Sequence, residues 1–227
     1  MNSRRFIVTA VLLTTALAPG ALATIIQLSP TDDTFIRNSE PNTVQGAYDF
    51  LAVFDYQTSF YGLDYTVLKF NLSAIPDSAS FNSATLYLWS NNFAHYQDVV
   101  RLTNDAWTEG ALTWNNYVAS TETLLGSRQS AWDQYIDWSL NLAAWSYATD
   151  LADNSVTLMV KFQPGGGMYL SNWFRSKEYW NSSQHPYLEI DYDEGGPLIP
   201  EPCSALLVAL GGCLLFASRA VRRRLTR

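Results

Sequence analysis

The sequence predicts an all-β fold, a jelly-roll-like β-sandwich over residues 24–193, carried between a cleaved N-terminal signal helix and a single C-terminal transmembrane helix. Three observations carry this prediction. Short runs of β-branched and aromatic residues alternate in polarity with a period of two. Clusters of Gly, Asn, Asp, Ser and Pro separate these runs at short spacing, with no regular alternation of strand and helix. Aromatic residues make up 14% of the 227-residue chain, a share that favours strands over solvated helices.

Residues 1–23 read as a signal peptide. Arg4 and Arg5 form a positive start, an apolar run extends from Phe6 to about Leu17, and Ala21-Leu22-Ala23 offers small residues for cleavage. The run is too short to span a bilayer and ends at Pro19-Gly20. The mature chain is expected to begin at Thr24.

The strands follow from their alternation. In Ala84 to Trp89, the residues Ala84, Leu86 and Leu88 share one face, and Thr85, Tyr87 and Trp89 the other. Tyr65 to Leu72 turns Leu68, Phe70 and Leu72 inward, with Val67 and Lys69 outward. Val156, Leu158, Val160 and Phe162 face the core in a later strand, as do Leu188, Ile190 and Tyr192 in the last. Further strands are expected near Ile25–Leu28, Thr34–Arg37, Phe50–Phe54, Val99–Thr103 and Tyr135–Trp138. One helix is expected over Leu140–Asp150, where Leu140, Ala143, Ala144, Tyr147 and Leu151 are spaced along one side.

Residues 194–199 read as a linker, because Gly195, Gly196 and Pro197 break regular structure. Pro200, Glu201 and Pro202 come next, and an apolar segment predicts a transmembrane helix over 203–221. The segment has no polar face of helical period, which argues against a helix of the globular domain. Arg219, Arg222, Arg223 and Arg224, with Arg227, set its orientation with the positive end in the cytoplasm. The β domain is then left outside.

Charge narrows the partners. The exported part, Thr24 to Gly195, holds seven basic and 20 acidic residues, a net charge of −13 against −7 for the whole chain. Nucleic acid and anionic membrane surfaces are poor partners for such a domain. Acidic polysaccharides are repelled unless a cation or a local Lys69/Arg101 patch offsets the field, so neutral glycans suit it better. Both cysteines, Cys203 and Cys213, lie in the tail, so the exported domain has no disulfides and no thiolate zinc site.

Two resemblances emerge from these residues. The tail, with Ile199-Pro200-Glu201-Pro202, the apolar stretch Ser204 to Ala217 and the terminal arginines, resembles the PEP-CTERM sorting signal. That resemblance implies recognition by an exosortase at the inner membrane of a Gram-negative, polysaccharide-producing host. The domain resembles a DNRLRE domain, a carbohydrate-binding-module-like β-sandwich. The match rests on Asp33-Thr34-Phe35-Ile36-Arg37, Asn42 and Gly46, and Leu68-Lys69-Phe70-Asn71-Leu72-Ser73. It continues through Ser83-Ala84-Thr85-Leu86, the block from Trp107 to Asn116, Ser176-Lys177-Glu178, and Pro186-Tyr187-Leu188-Glu189-Ile190. The name-giving hexapeptide is absent, and Asn71 stands where the family usually has an acid. This second resemblance implies glycan binding without catalysis.

Candidate sugar contacts are the outward aromatics and cations of the predicted strands: Tyr65 and Lys69 on one, Tyr87 and Trp89 on another, and Arg101 nearby. Flat aromatic faces stack on the C–H edges of a pyranose, and polar groups take its hydroxyls. Phe93, Tyr96, Trp173 and Trp180 are further loop candidates. The bland alternative is that one of these faces packs beneath a loop. Trp107, Glu109, Trp114 and Asn115 are read as a block that orders a long loop rather than as a site. Asp32, Asp33 and Asn42, with the backbone around Gly46, form a candidate calcium site, since hard cations want several oxygen ligands.

Catalytic groupings are weak. His95, Tyr96 and Arg101 could be set as a lyase centre, and Glu109 with Glu122 or Asp105 as a glycosidase pair. No nucleophile motif or phosphate loop accompanies them. The expectation is a non-catalytic polysaccharide-binding protein of the cell surface or extracellular matrix. The alternative is a structural or adhesive matrix protein with no defined sugar site, and a lyase or hydrolase comes behind both.

Overall fold

The computed structural model describes residues 23–56, 62–91, 95–117, 121–163 and 170–194. The predicted signal peptide, save for Ala23, and the whole sorting tail lie outside them, as does Phe93. No helix among the described residues is long and apolar enough to cross a membrane.

Among the described residues the fold is all-β and sandwich-like, with eleven antiparallel strands and one short α-helix. The strands are β1 Ala23–Leu28, β2 Pro30–Arg37, β3 Phe50–Tyr56, β4 Gly62–Asn71, β5 Ser80–Ser90 and β6 Tyr96–Leu102. They continue with β7 Glu122–Gln129, β8 Gln134–Ser139, β9 Ser155–Phe162, β10 Leu170–Arg175 and β11 Tyr187–Asp193. Hydrogen bonding links them in the order β1-β11-β5-β10-β3-β4-β9-β6-β7, with β2 beside β4 and β8 beside β5. First and last strands are partners, from Ala23 opposite Asp193 to Leu28 opposite Leu188.

The main core lies between the β5/β8/β11 layer and the β4/β6/β9 layer. Leu86, Leu88, Ile136, Trp138, Leu188 and Ile190 from the first meet Leu68, Phe70, Val99, Val156, Leu158 and Val160 from the second. These are the inward positions that strict alternation marks. Trp138 fixes the two layers together: its ring is buried and its Nε1 donates to the Gln97 carbonyl on β6 at 3.3 Å. Burying each such large apolar side chain stabilises the fold by about 1.5–3 kcal/mol.

Three segments depart from the sequence expectation. The helix runs over Tyr147–Asp153, not Leu140–Asp150. Leu140 N–H is held by the Ala84 carbonyl at 2.8 Å and Asn141 N–H by the Leu125 carbonyl at 2.7 Å, so the start of the expected helix is spent tying the chain to two strands. The helix stops at Asn154, which adopts φ 61°, a conformation that asparagine tolerates. Strand β7 escaped prediction because a bulge opposite Val99 and Val100 breaks its period, leaving Leu124 exposed and Leu125 buried. Strand β10 escaped because its inward row includes Asn172, a polar residue fully buried against Ser90.

Candidate functional site

The outer faces of the two layers carry the predicted sugar contacts, and the structure treats them differently. On β4, Tyr65, Val67 and Lys69 point outward. The segment between β6 and β7 crosses over them. Trp107, Leu112, Trp114 and Tyr117 from this segment pack on Ile36, Val67, Val100, Leu102 and Met159. The Tyr65 ring lies 5.3 Å from that of Trp114. Trp107 donates its Nε1 hydrogen to Thr157 Oγ1 on β9 at 2.9 Å. Lys69 donates to the Trp107 carbonyl, stands 5.0 Å from its ring centroid, and pairs with Asp32 at 2.9 Å. Tyr65 and Lys69 are therefore roofed. A cavity of about 220 Å³ remains beneath the roof, lined mainly by Val67, Leu102, Ala106, Trp107 and Leu112.

Several polar groups of this roof hold it in shape and tie it to neighbouring segments. Asn115 N–H donates to the Pro41 carbonyl at 2.9 Å, and its Nδ2 to Asn42 Oδ1 at 2.8 Å. Asn116 closes the turn by accepting from Thr113 N–H at 2.7 Å and donating to the Ala111 carbonyl at 2.6 Å. Glu109 N–H donates to Asp32 Oδ1 at 3.1 Å. Gly46 passes so close that a Cβ there would stand 2.5 Å from the Glu109 carbonyl oxygen, which explains a glycine at this position. The block from Trp107 to Asn116 orders a loop, as its residue types suggested.

Arg101 sits on β6 and is only 8% exposed. Its Nε donates to both carboxylate oxygens of Asp150, at 3.0 and 2.7 Å, and its Nη2 pairs with Asp150 as well. The hydrogen bonds it donates to Asp150 hold the guanidinium above its ordinary range. Trp145 Nε1 donates to the same carboxylate. Arg101 is thus spent inside the protein and does not join an outward patch with Lys69. It does not converge with His95 either, whose ring packs edge-on to Phe162 at 5.8 Å. The carboxylates proposed for hydrolysis are likewise engaged: Glu109 with Lys177, and Glu122 with Lys161.

The outer face of β5, β8 and β11 is different. Tyr87 and Tyr187, opposite one another on β5 and β11, stack at 4.5 Å and 11°. Trp89 and Tyr135, opposite one another on β5 and β8, meet edge to face at 5.1 Å and 82°. Tyr135 also lies edge-on to Tyr187, at 5.4 Å. All four rings are partly exposed and belong to none of the buried clusters. The alternation of β5 puts Tyr87 and Trp89 here, and cross-strand pairing supplies the other two.

Polar groups flank these rings. Asp137 is opposite Tyr87 and pairs with Arg128 at 2.7 Å, and Glu189 accepts from Gln27 Nε2 at 2.8 Å. The Tyr135 hydroxyl reaches the carbonyls of Ser183 at 2.8 Å and His185 at 3.0 Å. Burial, with Tyr187 beside it, pushes the Tyr135 phenol up to about 12. Burial raises Tyr87 and Tyr187 too, and the carboxylate of Glu189 adds to both. The Trp89 indole N–H has no acceptor among the described residues. Sequence reasoning found Tyr87 and Trp89 but missed Tyr135 and Tyr187, although both stood in predicted strands.

The predicted calcium ligands each have protein partners of their own. Asp32 is engaged by Lys69 and Thr31, and Asn42 by Asn115. Burial works against the charge of Asp32, yet its hydrogen bonds from Lys69 and Glu109 N–H hold it below the ordinary range. Asp33 instead points toward Glu109 and Glu178, with Lys177 among them. Burial, reinforced by the neighbouring Glu178, pushes Asp33 up to about 8.

Of the loop candidates, Tyr96 opens β6 and is exposed. Trp173 lies on β10, packed edge-on against Phe50 and Phe54. Trp180 is 81% exposed, the most open large aromatic among the described residues.

Comparison with known proteins adds to this geometry. No curated protein matches the chain. One family model does, over residues 24–192, nearly the whole span from β1 to β11. A layered β domain with one roofed and one aromatic outer face, matched over most of its length, leads to a plain result: the chain belongs to carbohydrate-binding module family 96.

Proposed function

We propose that this chain is an exported, non-catalytic protein that binds a polysaccharide through the outer face of β5, β8 and β11. One observation carries the reading: Tyr87, Trp89, Tyr135 and Tyr187 form a continuous, partly exposed aromatic surface in a chain of a carbohydrate-binding family. Rings in this setting offer apolar faces to sugar C–H groups, while Asp137, Glu189 and Gln27 offer acceptors and donors for hydroxyls. Carboxylates beside the platform favour a neutral glycan over an acidic one.

The ends of the chain supply the destination. The signal sequence up to Ala23 directs export, and the segment after Pro200-Glu201-Pro202 holds the protein at the inner membrane. An exosortase then cleaves near that motif and passes the domain to the cell surface or the polysaccharide matrix. Mass spectrometry of the mature protein tests this, since a chain still ending at Arg227 contradicts it.

A glycan array, followed by affinity measurement on the best ligand, tests the binding face. Trp89→Ala and Tyr87→Ala are expected to weaken binding about tenfold each, near 1.4 kcal/mol. A blank array together with a blank pull-down of host exopolysaccharide defeats the reading. Unsaturated or reducing-end products appearing with the ligand would restore the enzyme alternative.

A further inference from the structure

Asp33, Glu109 and Glu178 come from β2, from the roofing segment and from the turn after β10, and they meet at one edge of the sandwich. One carboxylate oxygen from each lies within 4.8 Å of the others. Oxygen ligands stand about 2.3–2.6 Å from a calcium ion, so oxygens up to about 5 Å apart can share one. The Asp33 side chain has no exposure at all. Its Oδ2 accepts from Lys177 N–H at 2.9 Å, but its Oδ1 has no hydrogen-bond donor among the described residues. The Lys177 ammonium is 3.8 Å from that oxygen, beyond hydrogen-bond length, and is engaged by Glu109 and Glu178 instead.

A buried carboxylate oxygen without a donor is costly, and proteins meet the cost with a paired charge or a metal. With a divalent cation bound and all three carboxylates ionised around it, its two positive charges and the one ammonium balance the three negative charges. Glu109 and Glu178 keep about a third of their side chains exposed, leaving room for the waters that complete a calcium shell. Lys177 is long and jointed, so its ammonium can swing outward as the ion enters.

We propose that Asp33, Glu109 and Glu178 bind a hard divalent cation of the calcium type, which ties β2, the roof and the β10–β11 connection together. Of the calcium ligands expected from sequence, only Asp33 remains. The site does not depend on the glycan face, because none of its ligands belongs to that surface.

The test uses the purified full chain stripped with chelator. Calorimetric titration with calcium chloride is expected to give one site, and thermal unfolding in calcium to occur about 4 °C or more above that in chelator. Glu178→Gln, at a partly exposed position, should weaken calcium binding at least tenfold and lose most of the thermal shift. Glu122→Gln, on the other side of the roof, should respond as the wild type. Absence of calcium heat in the wild-type chain overturns the proposal, as does a Glu178→Gln protein that responds like the wild type. If Glu178→Gln fails to fold, Glu109→Gln and the wild-type titration decide. Loss of the calcium response with glycan binding intact, or the reverse, separates this site from the platform.

Discussion

The two outer faces of the sandwich began as equivalent candidates and ended as opposites. Tyr65 and Lys69 lie under a loop whose indoles and amides bind the sheet beneath them. Tyr87 and Trp89 stay partly open and gain Tyr135 and Tyr187 as neighbours. The local pattern of the strands is the same in both places. What differs is a long-range event, the return of residues 103–117 over one face only. Alternation tells which side of a strand a residue takes, and tertiary contacts tell what lies above it.

The comparison can be broken most forcefully through the pair that anchors the roofed layer. Asp150→Ala leaves Arg101 buried without its carboxylate and strips Trp145 of its acceptor. It is expected to cost about 3–5 kcal/mol, read as a lowered midpoint in chemical unfolding. Next comes Trp107→Ala, which removes an indole and its bond to Thr157 and should cost about 3 kcal/mol. Glycan affinity measured well below the unfolding midpoint should stay unchanged in this variant. A direct loss of affinity there would move the binding site to the roof.

Smaller effects sharpen the open face. Trp89→Ala should cost about 1 kcal/mol of stability while lowering glycan affinity about tenfold. A stability loss as large as that of Trp107→Ala would mean that Trp89 serves packing instead. Tyr135→Phe removes the hydroxyl bonds to Ser183 and His185 at a cost of about 1 kcal/mol. It should also remove one of the upward-shifted phenols from an absorbance titration of the protein. The native Tyr135 holds its proton up to about 12, against 10.0 for a free phenol. Its contribution to stability is therefore complete below pH 10 and is lost as the pH rises toward 12. A wild-type face that melts no differently across that window would count against the burial of Tyr135.

Much of this was legible from residues alone. The core rows Leu86–Leu88, Leu68–Phe70 and Leu188–Ile190 follow from period two, because alternate positions of each strand turn an apolar row into the core. Strands β7 and β10 were hidden by a bulge and by a buried asparagine, features that only partner strands reveal. The helix was misplaced because Leu140 and Asn141 serve neighbouring strands, a demand that helical spacing does not register. At the site, Tyr87 and Trp89 could be read from their own strand, whereas Tyr135 and Tyr187 needed the register of β5 with β8 and β11. Arg101 was misread for the same reason: its partner Asp150 is 49 residues away.

The pairing of β1 with β11 has a consequence in time. Synthesis reaches Ala23 long before Asp193, so the opening strand must wait for the closing one. Until that final strand emerges, β5 also lacks one of its neighbours. Contacts so distant in sequence form slowly, and a fold built on them reaches its native state late. Such a chain remains threadable for nearly the whole of its synthesis, and any machinery that moves extended polypeptide has that interval in which to act.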